Sequence, residues 1–204
     1  MRSSHEELRR SVETGFIDKN YSSNNLYLPK LITNNRLKNK KVLSTILNEL
    51  RNCDEFYFSV AFLTKSGVAV LINTLEELRK KKIKGKILVS QYQDFTQPEA
   101  LKSLLKFENI ELRIATKDNF HAKGYFFKYK DQYTLMVGSS NLTASALSTN
   151  KEWNLMVSAS NDSSLVEEVL EEANLEFKKG YLVSYEYIEV YEKIYDRQRH
   201  LRYE

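Results

Sequence analysis

Apolar positions recur along this chain with two distinct periods, and the period switches several times. From Lys41 the helical spacing is clear: Val42, Leu43, Ile46, Leu47 and Leu50 fall three and four apart, which predicts an amphipathic helix. The run from Phe56 to Leu63 is dense in aromatic and apolar residues, the composition of a buried strand. Ser66 is placed to cap a second helix carrying Val68, Leu71, Ile72, Leu75 and Leu78 on one face. After Gly85, the stretch Lys86 to Ser90 predicts another strand. Pro98 suits the first turn of a helix whose apolar face is Leu101, Leu104 and Leu105.

The second half continues the alternation. Ile110 to Ile114 alternates strictly and predicts a strand. His121 to Phe127 and Tyr133 to Val137 predict two strands joined by a turn over Tyr129, Lys130, Asp131 and Gln132. Asn154 to Ser158 predicts one more. Ser163 or Ser164 then caps a helix with Leu165, Val169, Leu170, Ala173 and Phe177 along one side. The tyrosine-rich tail predicts a last helix through Ile188, Tyr191 and Ile194 or Tyr195. Strand–helix alternation followed by adjacent strands implies an α/β fold, a mixed β-sheet flanked by helices. The expected organisation is an arm over residues 1–35, a main domain over 36–180, and a C-terminal helix or junction to a longer protein over 181–204. The loop signal Asn20 to Asn25 lies in the arm.

Composition narrows the possibilities. A chain of 204 residues with 42% hydrophobic and 28% charged residues can bury a core without staples. The one cysteine, Cys53, excludes an internal disulfide framework and any multi-cysteine zinc site. The polar N-terminus is no secretory signal, and the longest apolar run, Val68 to Ile72, is far too short to span a bilayer. The expectation is a cytoplasmic protein with no membrane partner. A net charge of +4 is permissive for nucleic acid and no more. The basic groups Arg79 to Lys86 and Arg36 to Lys41 read first as solvated helix ends and loops.

The informative segment is His121-Ala122-Lys123, then Gly138-Ser139-Ser140-Asn141, then Glu152. On a strand, His121 and Lys123 project to one face, about 6–7 Å apart. Ser139 to Asn141 fall at a strand end, where loops carry function. If the two strands pair through the turn near Lys130, the second returns beside His121. A nucleophile, a fixed cation and an amide donor then converge.

His-x-Lys followed by Gly-Ser-x-Asn resembles the signature half-site of the phospholipase D superfamily. Where members more often carry an aspartate soon after the lysine, this chain has Lys128. It is similar instead to a nuclease branch, including metal-independent restriction endonucleases, in which an acidic residue downstream of the asparagine takes that place; here that is Glu152. The segments around Thr14 to Asp18, Ser59 to Phe62, Ser90 to Gln93 and Asn119 to Gly124 resemble the N-terminal domain of bacterial superfamily-two helicases carrying a phospholipase D-like module. The resemblance covers roughly residues 7–180. It implies a phospholipase D-like sandwich, a metal-independent phosphodiesterase acting on DNA, and no cofactor. A helicase motor would lie elsewhere, since no Gly-x-x-x-x-Gly-Lys-[Ser/Thr] motif occurs in these residues.

The chemistry can be stated residue by residue. His121 is the candidate nucleophile, forming a phosphohistidine and splitting one hard step into two. Glu152 is expected to fix its tautomer. Lys123 and Asn141 would hold phosphate oxygens, with Ser139 as a further donor. Members of the superfamily use a second histidine as general acid. The other two histidines here, His5 and His200, belong to no His-x-Lys motif. One half-site per chain implies a homodimer with the active site at its two-fold seam. The competing expectation is a non-catalytic module that binds nucleic acid or a partner within a larger helicase. Trp153 is expected in the core or the wall of the site.

Overall fold

The computed structural model describes residues 3–20, 22–91, 95–116 and 120–203, with side chains through residue 198. Tyr92, Gln93, Asn119 and the side chain of His200 lie outside the described residues. A short helix α1 (Ser4–Val12) runs into a π-helical turn (Glu13–Ile17) and then strand β1 (Lys30–Ile32). Next come α2 (Val42–Asn52), β2 (Glu55–Val60), α3 (Lys65–Ala69), α4 (Ile72–Lys80) and β3 (Lys84–Ser90). They are followed by α5 (Pro98–Leu104), β4 (Ile110–Ala115), β5 (Gly124–Lys128), β6 (Gln132–Gly138), α6 (Ala144–Ser148) and β7 (Asn154–Ser160). The chain closes with α7 (Ser164–Lys179), β8 (Tyr181–Leu182) and α8 (Tyr185–Tyr203).

The strands form one mixed eight-stranded sheet in the order β1-β7-β6-β5-β2-β3-β4-β8. β2, β3 and β4 are parallel, and every other pairing is antiparallel. Helices cover both faces, which explains why β2 reads as a continuous apolar run. Phe56, Phe58 and Val60 enter the larger core under α2, α4, α5 and α8, while Tyr57 packs with Phe126, Leu135, Val166 and Phe177 under α7. The α/β class with a mixed, helix-flanked sheet is therefore the observed one.

Both ends of the chain join this sheet. β1 pairs with β7, and β8 pairs with β4. Ile188 and Tyr191 of α8 are buried in the larger core, and the Tyr191 hydroxyl donates to the Thr96 carbonyl at 2.8 Å. Asn34 ties the arm down: its Oδ1 accepts from Val42 N–H at 2.9 Å, and its amide donates to the carbonyls of Ala146 and Asn150 at 2.8 Å each.

Three local expectations differ from what is observed. The helix expected to start at Ser66 is two helices, broken at Val70 and Leu71. Its cap is Thr64, whose hydroxyl accepts from Gly67 N–H at 3.1 Å. The break rotates Ile72 out to solvent while Val68, Leu71, Leu75 and Leu78 stay buried. The strand expected from His121 begins only at Gly124, because its neighbour β2 ends at Val60 and Ser59 pairs with Gly124. Trp153, expected in core or wall, is 73% exposed.

Candidate active site

The site lies where three strand ends meet. The C-terminal ends of β2 and β6 and the N-terminal end of β5 share one edge of the sheet, the usual place for ligands in open α/β sheets. Val137 pairs with Gly124, and the Gly138 N–H donates to the Lys123 carbonyl at 3.2 Å. The turn has Tyr129 N–H donating to the Gln132 carbonyl at 2.8 Å. Gly138 is required for this approach: a Cβ there would press on the Trp153 carbonyl and the Asn154 side chain.

A cavity of about 850 Å³ opens at this edge, lined by His121, Lys123, Ser139 and Asn141 among others. His121 is exposed, while Lys123 is buried at 8% exposure. The Lys123 ammonium contacts the imidazole Nδ1 at 2.8 Å and Nε2 at 3.1 Å, and donates to the His121 carbonyl at 2.7 Å. Desolvation by burial pulls the Lys123 pKa below its ordinary value, and the nearby Glu152 carboxylate opposes that shift. Asn141 Oδ1 accepts from the Phe62 backbone N–H at 3.2 Å. That contact orients the amide so that its NH₂ group is the donor left for a ligand.

Glu152 is buried at 9% exposure and stands behind Ser139 rather than on the cavity wall. It accepts a short hydrogen bond from the Ser139 hydroxyl. The same hydroxyl accepts from Trp153 N–H at 3.1 Å, and Ser139 N–H donates to the Trp153 carbonyl at 3.1 Å. Glu152 therefore carries its negative charge close to Lys123 and fixes the Ser139 hydroxyl. Beneath it, Asn154 donates to Ser140 Oγ at 2.9 Å and to the Ile32 carbonyl at 3.2 Å, and accepts from Ser140 N–H at 3.3 Å. The Tyr125 hydroxyl donates to the Ser140 carbonyl at 3.0 Å, and burial pushes its pKa up. This network holds the Gly-Ser-Ser-Asn turn in one shape.

Sequence reasoning missed the far wall. Helix α7 contributes Glu168, Glu172 and Glu176, together with Val169 and Ala173; the sheet adds Ser59 and Phe126, and the loop before β5 adds Phe120. The signal was present, since the three glutamates stand four apart on a helix. The basic group near Lys80 does not serve this cavity. Lys84 is at the opposite end of β3, and Arg79 is held by Glu76 at 2.6 Å. Among the described residues, no three His, Cys, Asp or Glu side chains are grouped to hold a metal ion. No helix among them is long and apolar enough to cross a membrane.

Comparison with known proteins agrees with this fold. Residues 46–178 match the family described as "Cardiolipin synthase, PLD-like domain". No curated protein matches the chain by sequence. Among solved structures, the chain is similar to Nuc from Salmonella typhimurium, a phospholipase D family member, with 17% identity and a TM-score of 0.60; the match covers 76% of this chain and 98% of Nuc. NucT from Helicobacter pylori matches at 13% identity and a TM-score of 0.60, covering 77% and 99%. Phosphatidylserine synthase from Haemophilus influenzae matches at 11% identity and a TM-score of 0.59, covering 93% of this chain and 50% of the synthase. With a family match over more than half of its length and a mixed sheet that brings His121, Lys123, Ser139 and Asn141 to one cavity, the chain belongs to the phospholipase D-like domain family.

Proposed function

We propose that the chain is a metal-independent phosphodiesterase that cleaves DNA through a phosphohistidine. The observation that carries this reading is the joint presence of His121, Lys123, Ser139 and Asn141 in one open cavity, with Glu152 buried behind Ser139. An imidazole nitrogen of His121 attacks phosphorus, and the bond from phosphorus to the leaving oxygen breaks. Lys123 and the Asn141 amide stabilise charge on the non-bridging oxygens. The partner subunit's His121 gives the leaving oxygen its proton. It then takes a proton from water, which attacks phosphorus and breaks the phosphorus–nitrogen bond.

A second copy is required to supply that acid. His5 sits on α1, 3.8 Å from Asp162, and is no part of the cavity. The chain spans nearly the whole of Nuc and NucT but half of the synthase. A surface for the partner adjoins the site. Leu155 pairs across the sheet with Leu31 on one side and Val137 on the other. All three are exposed, as is Trp153, and Val137 also lines the cavity. A contiguous exposed apolar row of this kind marks an interaction surface. DNA is preferred over lipid because Glu152 stands downstream of Asn141, where the nuclease branch that the motif resembles carries its acidic residue; the net charge of +4 permits that choice. Within this reading the domain belongs to a helicase or restriction-type system, with the motor beyond residues 1–204.

The test is cleavage of a labelled oligonucleotide in the presence of chelator, with acid-sensitive phosphoenzyme trapped by rapid alkaline quench. Cleavage that survives chelator and disappears in His121→Ala is the expected result. DNA binding that is unchanged in His121→Ala, without cleavage or covalent intermediate, would establish the non-catalytic module instead.

A further inference from the structure

A site that must receive a phosphate anion is walled on one side by carboxylates. Glu168, Glu172 and Glu176 stand at i, i+4 and i+8 on α7, and all three line the same cavity as His121 and Lys123. Glu168 and Glu172 are exposed, while Glu176 is held by Lys179 at 2.7 Å. The wall is fixed to the sheet. The Tyr57 hydroxyl donates to the Ala173 carbonyl at 3.1 Å, and Phe177 packs edge-on against Tyr57 at 5.7 Å between ring centroids.

From this arrangement we infer that α7 makes the site selective for single-stranded nucleic acid, excluding duplexes by the Glu168–Glu172 charge. The inference rests on the nuclease reading above. A duplex brings a second phosphate backbone to the enzyme with the first. With a Debye length of about 8 Å at physiological salt, carboxylates on the cavity wall repel a backbone held against α7. A single strand escapes this repulsion, because it can bend its one scissile phosphate toward Lys123 and turn its bases toward α7. The wall suits a base. Phe120, which is half-buried, offers aromatic surface, Val169 and Ala173 apolar surface, and the glutamates accept from exocyclic amino groups. The same two features, acid and aromatic, oppose one partner and favour the other.

The experiment compares the intact chain with Glu168→Gln/Glu172→Gln and with the control Glu167→Gln/Glu171→Gln, which makes the same charge change at exposed positions of the same helix that do not line the cavity. Cleavage and anisotropy-detected binding are measured on one oligonucleotide, single-stranded and annealed to its complement. The chain is expected to prefer the single strand by about tenfold or more at physiological salt. The cavity-lining variant narrows that ratio at least threefold, chiefly by gaining on the duplex, and the control leaves it unchanged. Equal handling of both substrates by the intact chain overturns the inference, as does an equal shift in both variants. If neither substrate is cleaved, the nuclease reading fails, and the binding ratio still decides the role of α7.

Discussion

The Lys123 ammonium lies 2.8 Å from Nδ1 of His121 and 2.7 Å from the carbonyl oxygen of the same residue. One buried cation thus touches both the candidate nucleophile and the backbone that carries it. Lys123→Ala removes the charge that would meet phosphate oxygens. Hydrolysis of a chromogenic phosphodiester should fall by about 10²–10³-fold, chiefly in kcat. A change confined to KM would assign Lys123 to ground-state binding alone.

Glu152 opposes the effect of burial on Lys123. Burial lowers the Lys123 pKa, and the Glu152 carboxylate raises it. Glu152→Gln removes the opposing charge and keeps an oxygen to accept from Ser139, so Lys123 loses its proton at lower pH. The alkaline limb of kcat/KM against pH should therefore move to lower pH. An alkaline limb that stays in place would show that Lys123 ionisation does not govern activity.

Asn154 supports the site without lining it. It is 1% exposed and satisfies the Ser140 hydroxyl, the Ser140 N–H and the Ile32 carbonyl. Asn154→Ala strands these groups and should cost about 2–3 kcal/mol in urea denaturation. It should also untie β1 from the Gly-Ser-Ser-Asn turn, read as faster hydrogen exchange at Ile32.

The apolar row of Leu31, Val137 and Leu155 should hold the dimer. Leu155→Arg places a charge on an exposed position, so the monomer fold is spared. Sedimentation should shift toward monomer, with unchanged circular dichroism and cleavage activity falling in step with the dimer fraction. Full activity in a verified monomer would remove the partner histidine from the mechanism.

Cys53 is buried at the C-terminal end of α2, and desolvation pushes its thiol pKa from 9.0 up to about 12. The unfolded chain gives up this proton first. The stability gained by keeping the thiol neutral is whole below pH 9.0 and is lost as the pH rises toward about 12. Alkylation of Cys53 at pH 8 should proceed at the rate of global unfolding and accelerate in urea.

Much of this fold is legible residue by residue. The helical spacing from Val42 to Leu50 places Val42, Ile46 and Leu50 in the core, and the Phe56 run is a buried central strand. Those readings hold because the burial pattern of a single element repeats at the period of its own backbone. The misplacements have a different source. Composition alone places His121 in β5, but a strand extends only as far as its neighbour, and β2 stops at Val60. Residue type places Trp153 in the core or the wall of the site, although at 73% exposure it adjoins an apolar row open to solvent.

Helical and strand periods and short spacings are local properties, so the chain's own pattern reveals the α/β class, most of the longer elements and the motif residues His121, Lys123, Ser139, Asn141 and Glu152, though not β1, α6 or β8. What stands around them comes from long-range packing. Glu152 lies behind Ser139 because β6 and β7 pair in a register that sets Gly138 against Asn154. Glu168 and Glu172 face the cavity because α7, starting beyond β7, packs back across the sheet onto Tyr57. Contacts between segments far apart in the chain are fixed by the joint packing of a core, and no single segment encodes that packing.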